Sequence, residues 1–290
     1  MAILKPTPFR TTLGNWLGLL PFMLFALLFL ALPTAYIVIG AFRDPAGVPT
    51  FENIANLYDP NIIGPFWVSM ELSALTAFFG CLIGFLIAAA VTKGGLPAAL
   101  RNMLMTFSGV ASNFAGVPLS FAFIATLGRL GLVTVILRDW FDINLYASGF
   151  NLISFVGLCV VYLYFQIPLM ILIITPALDG LRREWQEAAE SLGATGLQYW
   201  RMVAIPVLWP ALLGTFALLF ANAFGAVATA MALTGSSLTI VPIKLFAQIR
   251  GDTLQNPNLG YAIAFAMILV TAGANIIYIT LRNRSERWIK

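Results

Sequence analysis

Residues 150–176, FNLISFVGLCVVYLYFQIPLMILIITP, form a long apolar run without a charged side chain. As an α-helix this run is about 40 Å long, whereas the hydrocarbon core of a bilayer is about 30 Å thick. Lipid offers no hydrogen bonds to strand edges or loops, so a helix is the conformation that such a run favours. The stretch therefore predicts a membrane-spanning helix.

The composition of the whole chain agrees with this interpretation. Of its 290 residues 60% are hydrophobic and 10% are charged, with a mean hydropathy of +0.90, whereas soluble domains carry about 25% charged residues. The sequence contains no histidine, which excludes histidine triads and histidine-based zinc sites. Cys81 and Cys159 both lie in apolar runs, so we expect neither a disulfide framework nor a metal site. Nor do we expect a nucleic-acid partner from the net charge of +4.

Six apolar stretches predict an all-α polytopic membrane protein, with residues 1–290 forming a single transmembrane domain. The predicted spans are 16–41, 65–91, 103–127, 150–176, 205–233 and 259–281. The first span resembles a signal peptide, but its apolar run is too long for one, so we interpret it as an uncleaved helix. Residues 240–249 form a shorter apolar piece, which predicts a re-entrant or interfacial segment.

The positive charges predict the orientation. When the 16 Lys and Arg residues are assigned to the two sides of the six spans, eleven fall on one side and five on the other. The larger group contains Lys5, Arg10, Lys93, Arg101, Arg182, Arg183, Arg201, Arg282, Arg284, Arg287 and Lys290. Since Lys and Arg accumulate in cytoplasmic loops, we expect both termini in the cytoplasm.

The predicted cytoplasmic loop between the fourth and fifth spans and the start of the fifth span read LRREWQEAAESLGATGLQYWRMVAIPVLWP, residues 181–210. Good helix formers fill Glu184 to Leu192, and Gly193 follows where a helix commonly ends in a left-handed residue. Thr195 can cap a second short helix that continues to Val203. Small residues at the tip allow another protein to approach closely. The alternative is an amphipathic loop resting on anionic lipid, against which the three glutamates of the loop argue.

The same residues resemble a known family. Glu187-Ala188-Ala189, three residues, Gly193, nine residues and Val203-Ala204-Ile205-Pro206 match the EAA loop of permeases of ATP-binding-cassette (ABC) importers. Val203 stands where the family has Ile, and Ile205 where it has Leu. The resemblance covers about residues 65–282, the five-span core of type I importers, and the first span is the usual extra helix.

The resemblance implies a function and partners. By this resemblance the chain is a permease subunit of a bacterial inner membrane. It would form the pathway for a small solute delivered by a periplasmic binding protein. Residues 181–204, here called the coupling loop, would bind a cytoplasmic ATPase dimer. The residues assigned to this ATPase coupling are Glu187, Ala188, Ala189, Gly193, Ala194 and Pro206. The sequence contains no GxxxxGK[ST] pattern, so ATP and Mg²⁺ belong on the partner, the chain binds no cofactor, and it is not itself an enzyme.

Polar side chains within the spans are the candidates for the pathway. They are Glu71, Asn113, Gln166, Asn222 and Thr229. Glu71 can instead reach the outer interface or pair with a basic residue of an outer loop. Asn113 and Gln166 can line a cavity or form hydrogen bonds between helices. Asn222 and Thr229 are the stronger candidates for the pathway, because the resemblance implies that the span after the EAA loop faces it.

Other functional classes explain the sequence less well. A secondary transporter or channel with six spans is the main alternative, but the EAA loop has no role in one. A membrane-embedded enzyme needs clustered acids, bases or nucleophiles, which the spans lack. Within the importers, the length of the chain, its single extra span and the loop before its last span resemble those of permeases for polyamines, ferric iron and phosphonates. We also expect the second permease of the transporter to be a different chain.

Overall fold

The computed structural model describes residues 9–235, 237–250 and 257–286. The regular elements in these ranges are all helical, and no β-strand occurs in them. Within these ranges six helical stretches are long and apolar enough to cross a membrane. The predicted all-α polytopic class is therefore confirmed. Several charges that entered the orientation argument, such as Lys5 and Lys290, lie outside the described residues.

The chain divides into two compact units, residues 1–59 with 248–266 and residues 60–247 with 267–290. The helices are α1 (Phe9–Ala26), α2 (Leu32–Ala41), α3 (Glu52–Ala55), α4 (Pro60–Lys93), α5 (Ala98–Asn113), α6 (Val117–Leu127), α7 (Leu132–Phe141), α8 (Phe155–Asp179), α9 (Arg183–Ser191), α10 (Gly196–Tyr199), α11 (Ile205–Gly225), α12 (Val227–Thr234), α13 (Val241–Arg250) and α14 (Pro257–Glu286).

In the first unit, polar contacts join the end of α2 to the start of α14. The Asn53 amide donates to the carbonyl oxygens of Ala41 and Arg43 at 3.3 and 2.7 Å. Asn258 of α14 donates to the same Arg43 oxygen at 2.7 Å. The ring of Tyr261 covers Gly40 so closely that a Cβ atom there would lie 2.5 Å from it. The bond to Ala41 satisfies one of the carbonyls that the end of α2 leaves without an intrahelical partner.

Two π-helical segments each end two residues before a proline. Residues Leu27–Ala31 precede Pro33, and Trp200–Ala204 precede Pro206. Proline has no backbone N–H to donate, and its ring collides with the carbonyl four residues earlier. A wider turn relieves that collision, so the prolines explain where the two segments occur.

The second unit is built around α4, α8 and α11, which supply most of its buried side chains. Gly80 and Gly84 form a GxxxG pair on α4, where the backbone approaches α8 closely. A Cβ atom on Gly84 would lie 2.6 Å from the Met170 Cβ, and one on Gly80 would lie 2.8 Å from the Gln166 Cβ. Small residues at this spacing let membrane helices pack at short range. The close approach of α4 and α8 therefore depends on the absence of two side chains.

Two of the predicted spans are broken. The third, 103–127, consists of the end of α5, a non-helical stretch at residues 114–116, and α6. The fifth, 205–233, is interrupted at Ala226 between α11 and α12. The hydropathy of the sequence does not reveal either break, because the residues at both breaks are mainly small or apolar.

The short apolar piece at residues 240–249 forms α13, whose first turn packs into the second unit. Ile240, Val241 and Ile243 are buried. The backbone N–H of Val241 donates to the Ser69 hydroxyl of α4 at 2.8 Å. This bond satisfies one of the donors that the start of a helix leaves without a partner.

Candidate functional site

The coupling loop consists of two short helices joined at a glycine. α9 ends at Ser191, and Gly193 follows with φ of +81°, which confirms the predicted left-handed ending. Thr195 begins α10 with a capping box. The Gln198 N–H donates to the Thr195 hydroxyl, and the Gln198 side chain accepts from the Thr195 N–H. Both ends of the turn are thus fixed by local hydrogen bonds.

The outer face of the loop presents apolar side chains among charged ones. Leu192 and Leu197 are 89% and 80% exposed. On the charged side, Arg183 and Glu187 form an ion pair one helical turn apart, with 3.0 Å between Nε and Oε1. Exposed leucines beside a polar rim are typical of a surface that another protein covers.

The inner face of the loop packs on the ends of the membrane helices. Tyr199 is buried, and Trp200 lies edge-on to Phe85 of α4. Trp185 and Ala189 of α9 join the same cluster, in which Leu181 and Leu178 are buried. The loop is therefore a packed part of the second unit and not a detached linker.

The predicted coupling residues divide between these two faces. Glu187, Ala188, Gly193 and Pro206 are exposed, whereas Ala189 and Ala194 are half-buried. A Cβ atom on Gly193 would have nothing within 4 Å. The tip of the loop therefore has open space around it.

The two helix breaks lie beside each other and border a cavity of about 450 Å³. Its lining is Ser112, Ala115, Gly116, Phe165, Ala221, Asn222, Gly225, Ala226, Val227, Ala228 and Thr229. The polar side chains among them are neutral, so the cavity offers hydrogen bonds without a full charge.

Three hydrogen bonds join the breaks to their neighbours. The backbone N–H of Gly116 donates to the Thr229 hydroxyl at 2.7 Å, and the Ser120 hydroxyl donates to the Thr229 carbonyl at 2.8 Å. The Tyr162 hydroxyl of α8 donates to the carbonyl of Ala226. Backbone groups released from a broken membrane helix need such partners, because lipid supplies none.

The predicted pathway residues are distributed unevenly around the cavity. Asn222 and Thr229 line it. Asn113 is exposed at the end of α5 and donates to its own helix at Gly109. Gln166 is fully buried and donates to Leu219 of α11 at 3.2 Å, so it joins helices and does not line the cavity.

Glu71 lies apart from the cavity, on an exposed face of α4. Trp67, Met70 and Phe78 are exposed on the same helix. Among the described residues, no hydrogen bond or ion pair to Glu71 is present. The carboxylate therefore belongs to a largely apolar outer surface.

Sequence reasoning missed Gly116, Ser120 and Tyr162 as residues that hold the breaks. The segment Asn113 to Pro118 did carry a signal, because asparagine, glycine and proline are helix breakers. No comparable signal marks Tyr162, whose partner lies 64 residues away.

Comparison with known proteins gives the context for this site. Residues 145–290 match the family model for the binding-protein-dependent transport system inner membrane component. The sulfate transport system permease protein CysT of Escherichia coli K12 is 26% identical over 288 residues, covering 96% of each chain. CysW of the same strain, also a sulfate permease, is 26% identical over 84% of this chain and 75% of its own.

Solved structures show the same fold. A bacterial ABC transporter that imports the acidic polysaccharide alginate superposes with a TM-score of 0.69 at 17% identity, covering 97% of this chain and 98% of its own. A complex of an alginate ABC transporter with a pentasaccharide-bound periplasmic protein gives a TM-score of 0.67 at 16% identity, covering 97% and 96%.

These relatives do not support the expected likeness to polyamine, iron and phosphonate permeases, since those named here are sulfate permeases. The family match covers half of the chain and includes the coupling loop, and the six long apolar helices of the described part of the chain suit a multi-pass protein of the inner membrane. The chain belongs to the family of binding-protein-dependent transport system inner membrane components, and it is a permease subunit of an ABC importer that forms the translocation pathway for a small solute delivered by a periplasmic binding protein.

Proposed function

We propose that this permease conducts a small oxyanion of the sulfate class through the cavity between the two helix breaks. Relatives named as sulfate permeases match the chain over most of its length, which supports the choice of solute. The structural observation that supports it best is the cavity itself, whose polar side chains are the neutral Ser112, Asn222 and Thr229.

Neutral donors suit an anion that must enter and leave. An oxyanion needs hydrogen-bond donors in place of the water it loses, and the Asn222 amide carries two. The start of α12 at Val227 adds backbone N–H groups, which the first turn of a helix leaves without intrahelical partners. Broken helices serve anionic solutes in this way in membrane transporters generally. A fixed cationic side chain would hold the anion more tightly and slow its release.

For Glu71 we propose a different role from contact with the solute. A carboxylate would repel an oxyanion, and it is also unfavourable in lipid, by up to about 2.5–3.5 kcal/mol at the bilayer centre. The exposed face of α4 around Glu71 is therefore better explained as a surface covered by the second permease or by water.

The remaining partners follow from the coupling loop and the family. A cytoplasmic ATPase dimer would bind the exposed tip, through Leu192 and Leu197 together with the EAA residues. That partner would bind and hydrolyse ATP, because the sequence has no phosphate-binding GxxxxGK[ST] loop. Since Escherichia coli K12 has two sulfate permeases of different name, CysT and CysW, we propose that the second permease is a different chain here too.

Asn222→Ala tests the solute pathway. In proteoliposomes that contain the complete transporter, we expect sulfate uptake to fall while ATPase association is retained. Asn275→Ala is the matched control, because this amide of α14 bonds to its own helix at Thr271 and should leave uptake unchanged. Wild-type sulfate uptake by Asn222→Ala, or no sulfate uptake by the wild-type transporter, would contradict the proposal.

Gly193→Phe tests the coupling loop. Gly193 and Gly149 both have positive φ, +81° and +92°, and both have open space around a Cβ atom. The backbone strain of a side chain there, roughly 1–2 kcal/mol, is therefore common to the two sites. We expect Gly193→Phe to lose the ATPase and the uptake, and Gly149→Phe to keep both. Equal behaviour of the two variants would contradict a docking role for the loop, and uptake driven by an ion gradient without ATP would favour a secondary transporter.

A further inference from the structure

We propose that the ion pair between Arg101 and Asp179 transmits movement of the coupling loop to α5, and through α5 to the cavity. The inference rests on the proposed role of the coupling loop and adds the route by which that role reaches the solute. Both residues act through other groups, so they are positioning residues and do not touch the solute.

The ion pair lies at the entrance to the coupling loop. Asp179 is the last residue of α8, and α9 begins four residues later at Arg183. One guanidinium nitrogen of Arg101 contacts both carboxylate oxygens of Asp179, at 2.6 and 2.9 Å. Lys93, at the end of α4, adds a longer bond of 3.4 Å to the Leu181 carbonyl. The α4–α5 connection therefore holds the loop entrance from both of its ends.

Each charge of the pair stands at an unfavourable end of its own helix. Asp179 is at the carboxyl end of α8, where the helix dipole favours cations, and Arg101 is in the first turn of α5, where it favours anions. Neither helix gains from its own charge. The ion pair offsets this unfavourable placement for both residues. We take this to mean that the role of the two residues is to connect α5 with α8.

α5 is suited to carry a displacement from this pair to the cavity. It is a continuous helix of 16 residues, about 24 Å long, with Arg101 near one end and Ser112 near the other. Ser112, just before the helix break, and Gly116, within it, line the cavity. Midway, Met105 contacts Thr175 of α8 at 3.8 Å. A rigid helix that ends at a break moves as a body, and the break absorbs the change in backbone angles.

The pair is expected to matter for transmission more than for folding. The side chains of Arg101 and Asp179 are 36% and 47% exposed, and ion pairs with such access to water add little to stability. Loss of the pair should therefore leave the permease inserted and assembled. An effect on transport can therefore be measured without loss of the folded permease.

The experiment compares Arg101→Glu, Asp179→Arg and the double exchange in the complete transporter, reconstituted with its ATPase and binding protein. The readouts are ATPase copurification, ATP hydrolysis and solute transported per ATP. We expect each single exchange to keep the ATPase and its hydrolysis but to lower transport per ATP about fivefold or more, within the usual range of coupling between sites. The double exchange restores the pair and should restore transport to near the wild-type value.

Two further variants complete the design. Arg138→Ala is the control, because Arg138 forms a somewhat more exposed pair at 2.8 Å, but with its sequence neighbour Asp139 and not between two helices. It should leave transport per ATP unchanged. Arg101→Gln removes the charge without introducing repulsion, and should lower transport per ATP even if the charge exchanges fail to fold.

The proposal is overturned by wild-type transport per ATP in Arg101→Gln, by failure of a folded double exchange to restore transport, or by loss of the ATPase from a single variant. The result also separates this inference from the coupling function itself. If Gly193→Phe uncouples the transporter and Arg101→Gln does not, only the ion-pair route is wrong. If Gly193→Phe has no effect, the coupling role fails first.

Discussion

Replacing Gly84 by alanine should weaken the contact between α4 and α8 on which the second unit is built. The new Cβ would lie 2.6 Å from the Met170 Cβ and 2.9 Å from the Ile167 carbonyl oxygen. Carbon atoms in contact normally stay about 3.5–4.0 Å apart, so the helices would have to separate by about 1 Å. Met170 is fully buried and cannot move aside freely. Overpacking of this kind costs about 1–3 kcal/mol of unfolding free energy.

Gly64→Ala is the matched control, because Gly64 lies on the same helix and a Cβ there has nothing within 4 Å. The gain in helix propensity from glycine to alanine, about 1 kcal/mol, is common to both variants. The difference between their unfolding free energies, measured by thermal or detergent denaturation of the purified permease, therefore isolates the packing cost. Equal stability of the two variants would refute the argument that α4 and α8 are held at short range by missing side chains.

Two other predictions concern the break and the outer face of α4. Tyr162→Phe removes the donor to the partly buried Ala226 carbonyl, and loss of that hydrogen bond should lower the unfolding free energy by about 1 kcal/mol; a wild-type denaturation midpoint would show that the bond is not needed at the break. Glu71→Cys, in a chain without Cys81 and Cys159, should react with a water-soluble thiol reagent in the separated permease and be protected in the assembled transporter. Equal labelling of the two forms would argue against the second permease as its cover.

The features that the sequence predicts well are those with a local cause. The apolar run at 150–176 forms most of α8 (Phe155–Asp179), because its length and lack of charge are set within the run itself. The turn of the coupling loop also has a local cause. Gly193 supplies a left-handed residue and Thr195 supplies a cap, and each acts on neighbours within three residues.

The features that the sequence does not predict depend on distant partners. Gln166 stands at mid-depth in a predicted span, and nothing nearby in the sequence decides whether it faces a cavity or another helix. Its burial results from contacts with Thr76 and Leu219, which come from two other helices. The break at Ala226 also depends on a distant partner. The hydroxyl of Tyr162, 64 residues away in the sequence, donates to the Ala226 carbonyl.

The two helices that end at the breaks are both joined to the coupling loop, α11 through the chain itself and α5 through the ion pair of Arg101 with Asp179. α11 is the direct continuation of the loop through the π-helical segment Trp200–Ala204, and it ends at Gly225 beside the break. α5 is joined to the loop entrance through its ion pair to α8, and it ends at the other break. A displacement of the loop therefore acts on both helices at the ends next to the loop, while the hydrogen bonds of Thr229 join Gly116 and Ser120 to the helix that follows the second break. Because rigid helices move as bodies and breaks absorb the change in backbone angles, a small shift of the loop can alter the cavity from both sides at once.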